Sequence, residues 1–117
     1  MSSVSKATRL KVMVAQTDTR FRVDRGRWVG PCLFCGGKLA LDPATGDGAT
    51  LEHIRPRSDG GTDDLANLGL AHARCNNEKG RRTDSARMRK RDPERYARIV
   101  SRLLAERARY LSRPTDP

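Results

Sequence analysis

The chain has 117 residues, of which 36% are hydrophobic, 4% aromatic and 32% charged. A chain this short holds at most one domain. With so few large apolar side chains it has difficulty burying enough surface to offset the entropy of folding, so we expect a further stabilising device such as a structural metal. Its net charge of +10 and pI near 10.5 exclude an acidic surface and indicate a polyanionic partner, nucleic acid before an anionic membrane.

No apolar run approaches the roughly 20 residues that a membrane-spanning helix needs. The first residues, MSSVSKATRLKVMVAQ, also lack the continuous apolar stretch of a secretory signal. Three cysteines cannot all pair with one another, so we do not expect disulfides to hold the fold. We therefore expect a cytoplasmic protein without membrane association. A GC-rich genome alone would raise the arginine content, but it would not cluster the arginines.

The first predicted element is a helix within residues 6–28, where apolar side chains recur between Leu10 and Val14. An irregular basic segment should follow this helix and lead to the sequence GPCLFCGG at residues 30–37. A strand is predicted for KLALD, residues 38–42, because this apolar run follows a Gly-Gly turn.

The centre of the chain predicts a hairpin followed by a short helix. Residues 49–54 are expected to form a strand, residues 56–64 a polar loop with a Gly-Gly pair, and residues 68–71 the returning strand. The helix should begin at about Ala73 and end near Gly80, because glycine is the usual residue just beyond a helix C-terminus.

The clearest predicted helix lies in the last quarter of the chain. Asp92 is predicted as its N-cap, and Pro93 as its first helical residue. Its apolar residues recur at helical spacing and should pack on the core or on a partner helix, so a protein partner or a homodimer is an open alternative. This stripe comprises Tyr96, Ile99, Val100, Leu103, Leu104 and Leu111.

Two pairs of metal-ligating residues occur at short spacing, Cys32-x-x-Cys35 and His72-x-x-Cys75. A two-residue gap lets both side chains of a tight turn reach one ion, and a structural zinc takes four nitrogen or sulfur ligands. These four residues predict a closed structural zinc site. The C-x-x-C spacing alone could also be a redox motif, and His72 could instead be a second active-site group. The pairs would then supply only three ligands.

The remaining polar residues of this region follow the order of a known motif. The pieces CLFC, LEHIRPRSDGG, LANL and HARCNNEKG resemble the HNH endonuclease family over about residues 31–82. The resemblance implies an α+β fold with a ββα-metal core, a hairpin plus a short helix held by structural zinc and flanked by N- and C-terminal helices. It also implies metal-dependent hydrolysis of phosphodiester bonds in DNA.

The resemblance assigns roles to particular residues. His53 would be the general base that takes a proton from the attacking water. Glu52 and Asn76 would hold a catalytic divalent ion, Mg²⁺ or Mn²⁺. Because neighbouring strand residues point to opposite faces, the strand would have to give way to a loop for Glu52 and His53 to face one site. Asn67 would orient His53 by holding the loop 56–64 through backbone hydrogen bonds.

Basic residues flank the candidate site on both sides in the sequence. They predict contacts to DNA phosphates without readout of bases, and hence low intrinsic sequence specificity. Lys79 could instead be a cation suited to a helix C-terminus, and the segment from Gly80 to Asp92 could be a solvated linker. The predicted DNA-binding residues are Arg20, Arg22, Arg25, Arg27, Lys79, Arg81, Arg82, Arg87, Arg89, Lys90 and Arg91.

We expect a single nuclease domain over residues 1–117, with its core at about 31–82. A basic extension at 1–30 and a basic linker with an amphipathic helix at 83–117 complete it. Free-standing proteins of this kind resemble those of phages, which would place the protein in a bacterial or phage-infected cell. The alternative function is a non-catalytic, zinc-bound DNA-binding or interaction subunit of a packaging or restriction complex.

Overall fold

A computed structural model of the chain describes residues 4–112. Within that range, a three-stranded antiparallel sheet and a two-stranded hairpin lie among α-helices, which confirms the predicted α+β class. The elements are α1 (Lys6–Thr17), β1 (Arg22–Asp24), β2 (Arg27–Pro31), β3 (Lys38–Leu41), β4 (Thr50–His53), β5 (Leu68–Ala71), α2 (Ala73–Lys79), α3 (Ala86–Arg91) and α4 (Pro93–Tyr110).

The hairpin and helix predicted for the centre of the chain are β4, β5 and α2. Strands β4 and β5 are antiparallel, with Glu52 opposite Gly69 and His53 opposite Leu68. His72 is the N-cap residue of α2, so the helix begins directly after β5. This ββα unit matches the arrangement that the sequence resemblance implied.

The basic segment before the first cysteine pair is not irregular, as we had expected, but forms the hairpin β1–β2. Its two-residue turn is Arg25-Gly26, with φ of 52° and 77°. Positive φ at both turn positions suits the right-handed twist of a hairpin. Only glycine adopts such a conformation at no steric cost, which explains Gly26 more readily than Arg25.

Helix α2 ends at Lys79, next to Gly80, as predicted, but Gly80 does not adopt the left-handed conformation common after a helix. Its φ of −54° and ψ of −46° are right-handed, and the chain continues through a π-helical turn, Gly80–Asp84. Ser85 then caps α3 by accepting a hydrogen bond from the Met88 amide at 3.2 Å. The predicted solvated linker is therefore helical, and the π-turn carries Asp84 back onto the ammonium of Lys79.

Helix α4 begins as predicted, because Asp92 Oδ1 accepts a hydrogen bond from the Arg95 amide at 3.0 Å. Its apolar stripe is used inside the chain. Tyr96, Val100 and Leu103 form a buried cluster with Ile54, and Leu33 packs against it. The stripe is thus part of the core and does not support the predicted partner or dimer contact. No helix within residues 4–112 is long and apolar enough to cross a membrane.

Arg107 joins α4 to the other end of the described chain. Its side chain is 1% exposed. Its Nε donates to the Leu65 carbonyl at 3.1 Å and its Nη2 to Thr17 Oγ1 at 2.9 Å. Beside it, the Thr19 amide donates to the Tyr110 carbonyl at 2.9 Å. These contacts hold the end of α1 against the end of α4.

Candidate functional site

The four predicted zinc ligands form one cluster. The sulfur atoms of Cys32, Cys35 and Cys75 and the Nδ1 atom of His72 all lie within 4.8 Å of one another. This separation and this donor set suit a tetrahedral zinc ion. The cluster joins the turn between β2 and β3 to the start of α2, and it lies outside the loop at 56–64.

The backbone around the cluster aims these side chains. His72 Nε2 lies 3.1 Å from the Lys38 carbonyl, which only accepts, so the proton sits on Nε2 and leaves Nδ1 to ligate. Gly36, directly after Cys35, has a φ of +72°, and its amide closes the turn by donating to the Cys32 carbonyl at 3.0 Å. At Gly37 a Cβ would lie 3.2 Å from the Cys35 sulfur, so glycine gives the thiolate room.

The thiols of the cluster differ in acidity. Burial opposes ionisation of Cys32, but backbone hydrogen bonds from Cys35, His72 and Phe34 lower its pKa to about 7. Burial and the charge of Cys32 raise the pKa of Cys75 to about 11. Zinc binding would therefore release a proton from Cys75 at neutral pH, and the metal would be held more tightly as the pH rises.

Asn67 is buried beneath the loop at 56–64 and holds it by side-chain hydrogen bonds. Its Oδ1 accepts from the Arg55 amide at 2.8 Å. Its Nδ2 donates to the carbonyls of Arg55 at 3.1 Å and Thr62 at 2.9 Å. On the far side of the loop, Tyr96 donates to Asp59 at 2.6 Å. Asn67 thereby holds both ends of the loop, and Tyr96 of α4 holds its middle.

His53 is paired with a carboxylate that the sequence analysis did not single out. His53 Nε2 lies 2.8 Å from Asp63 Oδ1, and its side chain is 21% exposed. Arg57 Nε also lies 3.3 Å from His53 Nε2, but the shorter contact is to a carboxylate, which only accepts. We therefore assign the ring proton to Nε2, which leaves Nδ1 unprotonated in the neutral ring. Arg57 Nη2 donates to both oxygens of Asp63, at 2.8 and 2.9 Å.

The hydrogen bonds from His53 and Arg57 hold the pKa of Asp63 well below its usual range. Lys6, from the start of α1, adds an ion pair at 3.3 Å. Asp63 is therefore a permanent anion beside His53. The sequence alone does not distinguish Asp63, because it is one of three aspartates between His53 and Asn67.

Glu52 is buried on the opposite side of β4, at 3% exposure. Its Oε1 accepts from Lys79 Nζ at 3.3 Å, and Lys79 also donates to the Ile54 carbonyl at 3.0 Å and to Asp84. Burial raises the pKa of Glu52 to about 7 against the lowering effect of Lys79. Glu52 Oε2 is buried without a hydrogen-bond partner among the described residues.

Asn76, on α2, contacts β4, the strand that carries Glu52. Its Nδ2 donates weakly to Thr50 Oγ1 at 3.3 Å and to the Leu51 carbonyl at 3.4 Å. Thr50 and Glu52 share one side of β4, and Asn76 and Lys79 share one side of α2. Asn76 Oδ1 accepts no hydrogen bond in the part of the chain that is described. Carboxylate and amide oxygens such as these are the donors that a divalent cation like Mg²⁺ prefers.

The structure does not place Glu52 and His53 on one face. Strand β4 runs through both residues, so it does not give way to a loop at Glu52 as we had expected. Their partners differ accordingly: Glu52 contacts Lys79, whereas His53 contacts Asp63. His53 is the last residue of β4, so Glu52 and His53 could contact one ligand only around that end of the strand.

Three of the predicted DNA-binding cations are paired with carboxylates, and the other eight form no ion pair among the described residues. Arg20 binds both oxygens of Asp18, and Arg89 pairs with Asp59 at 3.2 Å. Lys79 is buried between Glu52 and Asp84, which withdraws its ammonium from any surface phosphate. The others are exposed and form no ion pair within residues 4–112: Arg22, Arg25, Arg27, Arg81, Arg82, Arg87, Lys90 and Arg91.

Residues 32–82 of the chain match the family model described as HNH endonuclease. The matched segment contains the zinc cluster, the β4–β5 hairpin with its loop, and α2. Asp84 and helices α3 and α4 lie beyond it. No curated protein matches the chain, and no solved structure does either.

Proposed function

With residues 32–82 matching the HNH endonuclease family, we propose that this protein is a metal-dependent endonuclease that hydrolyses phosphodiester bonds of DNA. The observation that carries the proposal is the His53–Asp63 pair inside this segment. An imidazole that donates its Nε2 proton to a fixed carboxylate keeps Nδ1 available as a base. Such a pair is the device that removes a proton from a nucleophile at neutral pH.

In this proposal His53 Nδ1 accepts the proton of the attacking water. The resulting imidazolium is stabilised by the negative charge of Asp63, which Arg57 and Lys6 hold in place. Asn67 keeps the loop that carries Asp63 at a fixed distance from β4. The roles of Asp63 and Asn67 are orientation, and that of His53 is proton transfer.

Glu52 Oε2 and Asn76 Oδ1 would hold the catalytic divalent ion, Mg²⁺ or Mn²⁺. When bound, such an ion supplies positive charge to the scissile phosphate and to the leaving oxygen. Lys79 keeps the other oxygen of Glu52 in place, so the carboxylate has a fixed orientation. The exposed arginines of the β1–β2 hairpin and of α3 would bind DNA through its phosphates, with low sequence specificity.

A second candidate function is a DNA-binding module without catalysis, held by the same zinc cluster. The burial of Glu52 and its pairing with Lys79 favour it, because an already neutralised carboxylate has less need of a metal. The two candidates make opposite predictions for cleavage, and both predict DNA binding.

The deciding experiment is cleavage of supercoiled plasmid by the zinc-loaded protein with Mg²⁺, with Mn²⁺ or with neither. The native chain is compared with His53→Ala. Nicked or linear product that requires the divalent ion and disappears in the variant supports the endonuclease. If the native chain binds the plasmid but leaves it intact with either ion, the non-catalytic module is the better description.

An exposed residue away from the site provides the control for the metal residues. Asn76→Ala and Glu52→Gln should each raise the Mg²⁺ concentration needed for cleavage. Gln16→Ala, at an exposed position of α1, should not. Zinc content and circular dichroism of each variant show that the fold is retained.

A further inference from the structure

A pocket of about 430 Å³ lies where the π-turn, α3 and the start of α4 meet. It is outside the zinc cluster, and neither His53 nor Glu52 lines it. We call it the arginine pocket, and its lining residues are Arg81, Arg82, Met88, Arg91, Asp92 and Arg95. Its guanidinium groups come from separate helical elements, so the fold, and not the sequence order, gathers them.

The positive charge of the arginine pocket is not neutralised from within. Its four arginines form no ion pair in the described part of the chain. The single carboxylate in the lining, Asp92, caps the backbone of α4 through Oδ1. The pocket also lies at the N-terminus of an 18-residue helix, where the peptide dipoles favour an anion. Arg95 is pre-positioned, since its Nη1 donates to the Arg82 carbonyl at 2.8 Å.

The arginine pocket adjoins the face of α2 that carries Asn76. A second, open depression there is lined by Arg74, Asn76, Asn77, Glu78, Gly80 and Arg81. Arg81 thus borders both depressions. A chain of anions that passes Asn76 would meet Arg81 next and then the arginine pocket. Arg74 adds an exposed cation at the other end of this track.

We propose that the arginine pocket binds a backbone phosphate of the DNA substrate, away from the bond that is cut, on a strand that runs from Asn76 past Arg81. This inference rests on the proposed function, because it takes the polyanion at Asn76 to be DNA. The occupant is a polynucleotide rather than a free phosphate, since the positive track continues beyond the pocket. Planar guanidinium groups also match two phosphate oxygens at once.

Sequence reasoning missed Arg95, which lies on the helix whose apolar stripe drew attention. It placed Arg81, Arg82 and Arg91 among eleven basic candidates without distinction. The structure groups these three with Arg95 and separates them from Arg20 and Arg89, which are held by carboxylates.

The test is the salt dependence of binding to a labelled DNA duplex, measured by fluorescence anisotropy. It uses the zinc-loaded His53→Ala chain without added divalent ion, so that no cleavage intervenes. Arg91→Gln and Arg95→Gln should each weaken binding several-fold at low salt. Each should also lower the slope of log affinity against log salt by about 0.9, the contribution of one phosphate contact.

The control is Arg109→Gln, which removes the same charge from an exposed position near the other end of α4. Its slope should equal that of the parent. The proposal would be overturned if Arg91→Gln, Arg95→Gln and Arg109→Gln all gave the same slope. The salt dependence would then follow the net charge of the chain and not the position of the arginine. Arg91→Gln guards against a folding artefact, since it leaves the Arg95–Arg82 hydrogen bond intact.

Two competitors identify the occupant. Inorganic phosphate that saturates the arginine pocket without displacing the duplex would reduce it to an adventitious anion site and overturn the proposal. A poly-glutamate chain that binds as tightly as DNA, and loses affinity in the same variants, would assign it to an acidic protein. A native chain that fails to cleave while these slopes change would overturn the proposed catalysis but leave the pocket's assignment standing.

Discussion

Asp63 Oδ1 lies 2.8 Å from His53 Nε2, and this contact joins the end of β4 to the loop that leads to β5. Neither residue is adjacent to the other in sequence. The loop between them is fixed by Asn67 from below and by Tyr96 through Asp59 from the side. The orientation of the proposed base is therefore set by the loop and by the residues that hold that loop in place.

Replacing Asp63 should impair cleavage without removing the base. For Asp63→Ala we expect kcat to fall by about 10- to 100-fold, less than the roughly 100- to 10,000-fold loss expected for His53→Ala. Asp64→Ala is the control, because its side chain is exposed and caps no helix by a hydrogen bond. Equal losses in the Asp63 and Asp64 variants would contradict a positioning role.

Asn67→Ala should destabilise the fold as well as lower activity. The change leaves the Arg55 amide and the carbonyls of Arg55 and Thr62 without their buried partner. We expect a loss of about 2–4 kcal/mol in the free energy of unfolding, measured in urea. Asn77→Ala, at an exposed site, should change it by less than about 0.5 kcal/mol. A stable Asn67→Ala chain would show that the loop is held by other contacts.

Removal of one zinc ligand should unfold the central part of the chain. Cys75→Ser leaves three donors, and the thin core cannot replace the free energy that zinc binding contributes to folding. We expect bound zinc to fall to near zero per chain and the cooperative thermal transition to disappear. Metal analysis and circular dichroism measure the two effects. A Cys75→Ser chain with an unchanged transition would mean that zinc is not structural.

The buried Glu52 should make stability depend on pH. Its folded-state pKa of about 7 lies above the value of 4.5 for a free carboxyl, so the folded chain binds this proton more tightly. The contribution is complete below pH 4.5 and is lost as the pH rises through about 7. At pH 8, Glu52→Gln should therefore be more stable than the native chain, by up to about 3 kcal/mol.

This gain should shrink toward zero as the pH is lowered to that of the free carboxyl, and the exposed Glu78→Gln should show no such trend. Urea unfolding at several pH values, with zinc retained and no other divalent ion, measures it. A Glu52→Gln chain that is less stable than the native one at pH 8 would mean that the ion pair with Lys79 outweighs the cost of burial.

The order of motif residues was enough to predict that Cys32, Cys35, His72 and Cys75 come together and that a ββα unit forms, because ligand spacing and strand alternation are local properties. Strand β5 has the bounds that its apolar run predicted. The Arg25-Gly26 turn was not recognised, since arginine is an unusual residue at positive φ. Strand alternation predicted that Glu52 and His53 would point to opposite sides of β4. It did not predict that Glu52 would contact Lys79 or that His53 would contact Asp63.

The π-turn that follows α2 was not predicted, and it has a tertiary cause. A glycine after a helical run ordinarily marks the end of the helix, and Gly80 is free to adopt either hand. The buried ammonium of Lys79 needs a second carboxylate, and the π-turn delivers Asp84 to it. No local propensity encodes such a pairing. The role of Asp63 was hidden for the same reason, since only the folded loop selects it among its neighbours.

The hydrogen bonds of Arg107 to Leu65 and Thr17 have a consequence for the order in which contacts form during synthesis. Thr17 and Arg107 are 90 residues apart in sequence, whereas the zinc ligands are complete once Cys75 has been made. The four residues of the cluster are therefore all present on the nascent chain before α4 is made. Until Arg107 emerges, the Leu65 carbonyl and the Thr17 hydroxyl lack their native partner, so the contact between α1 and α4 can form only when synthesis is almost finished.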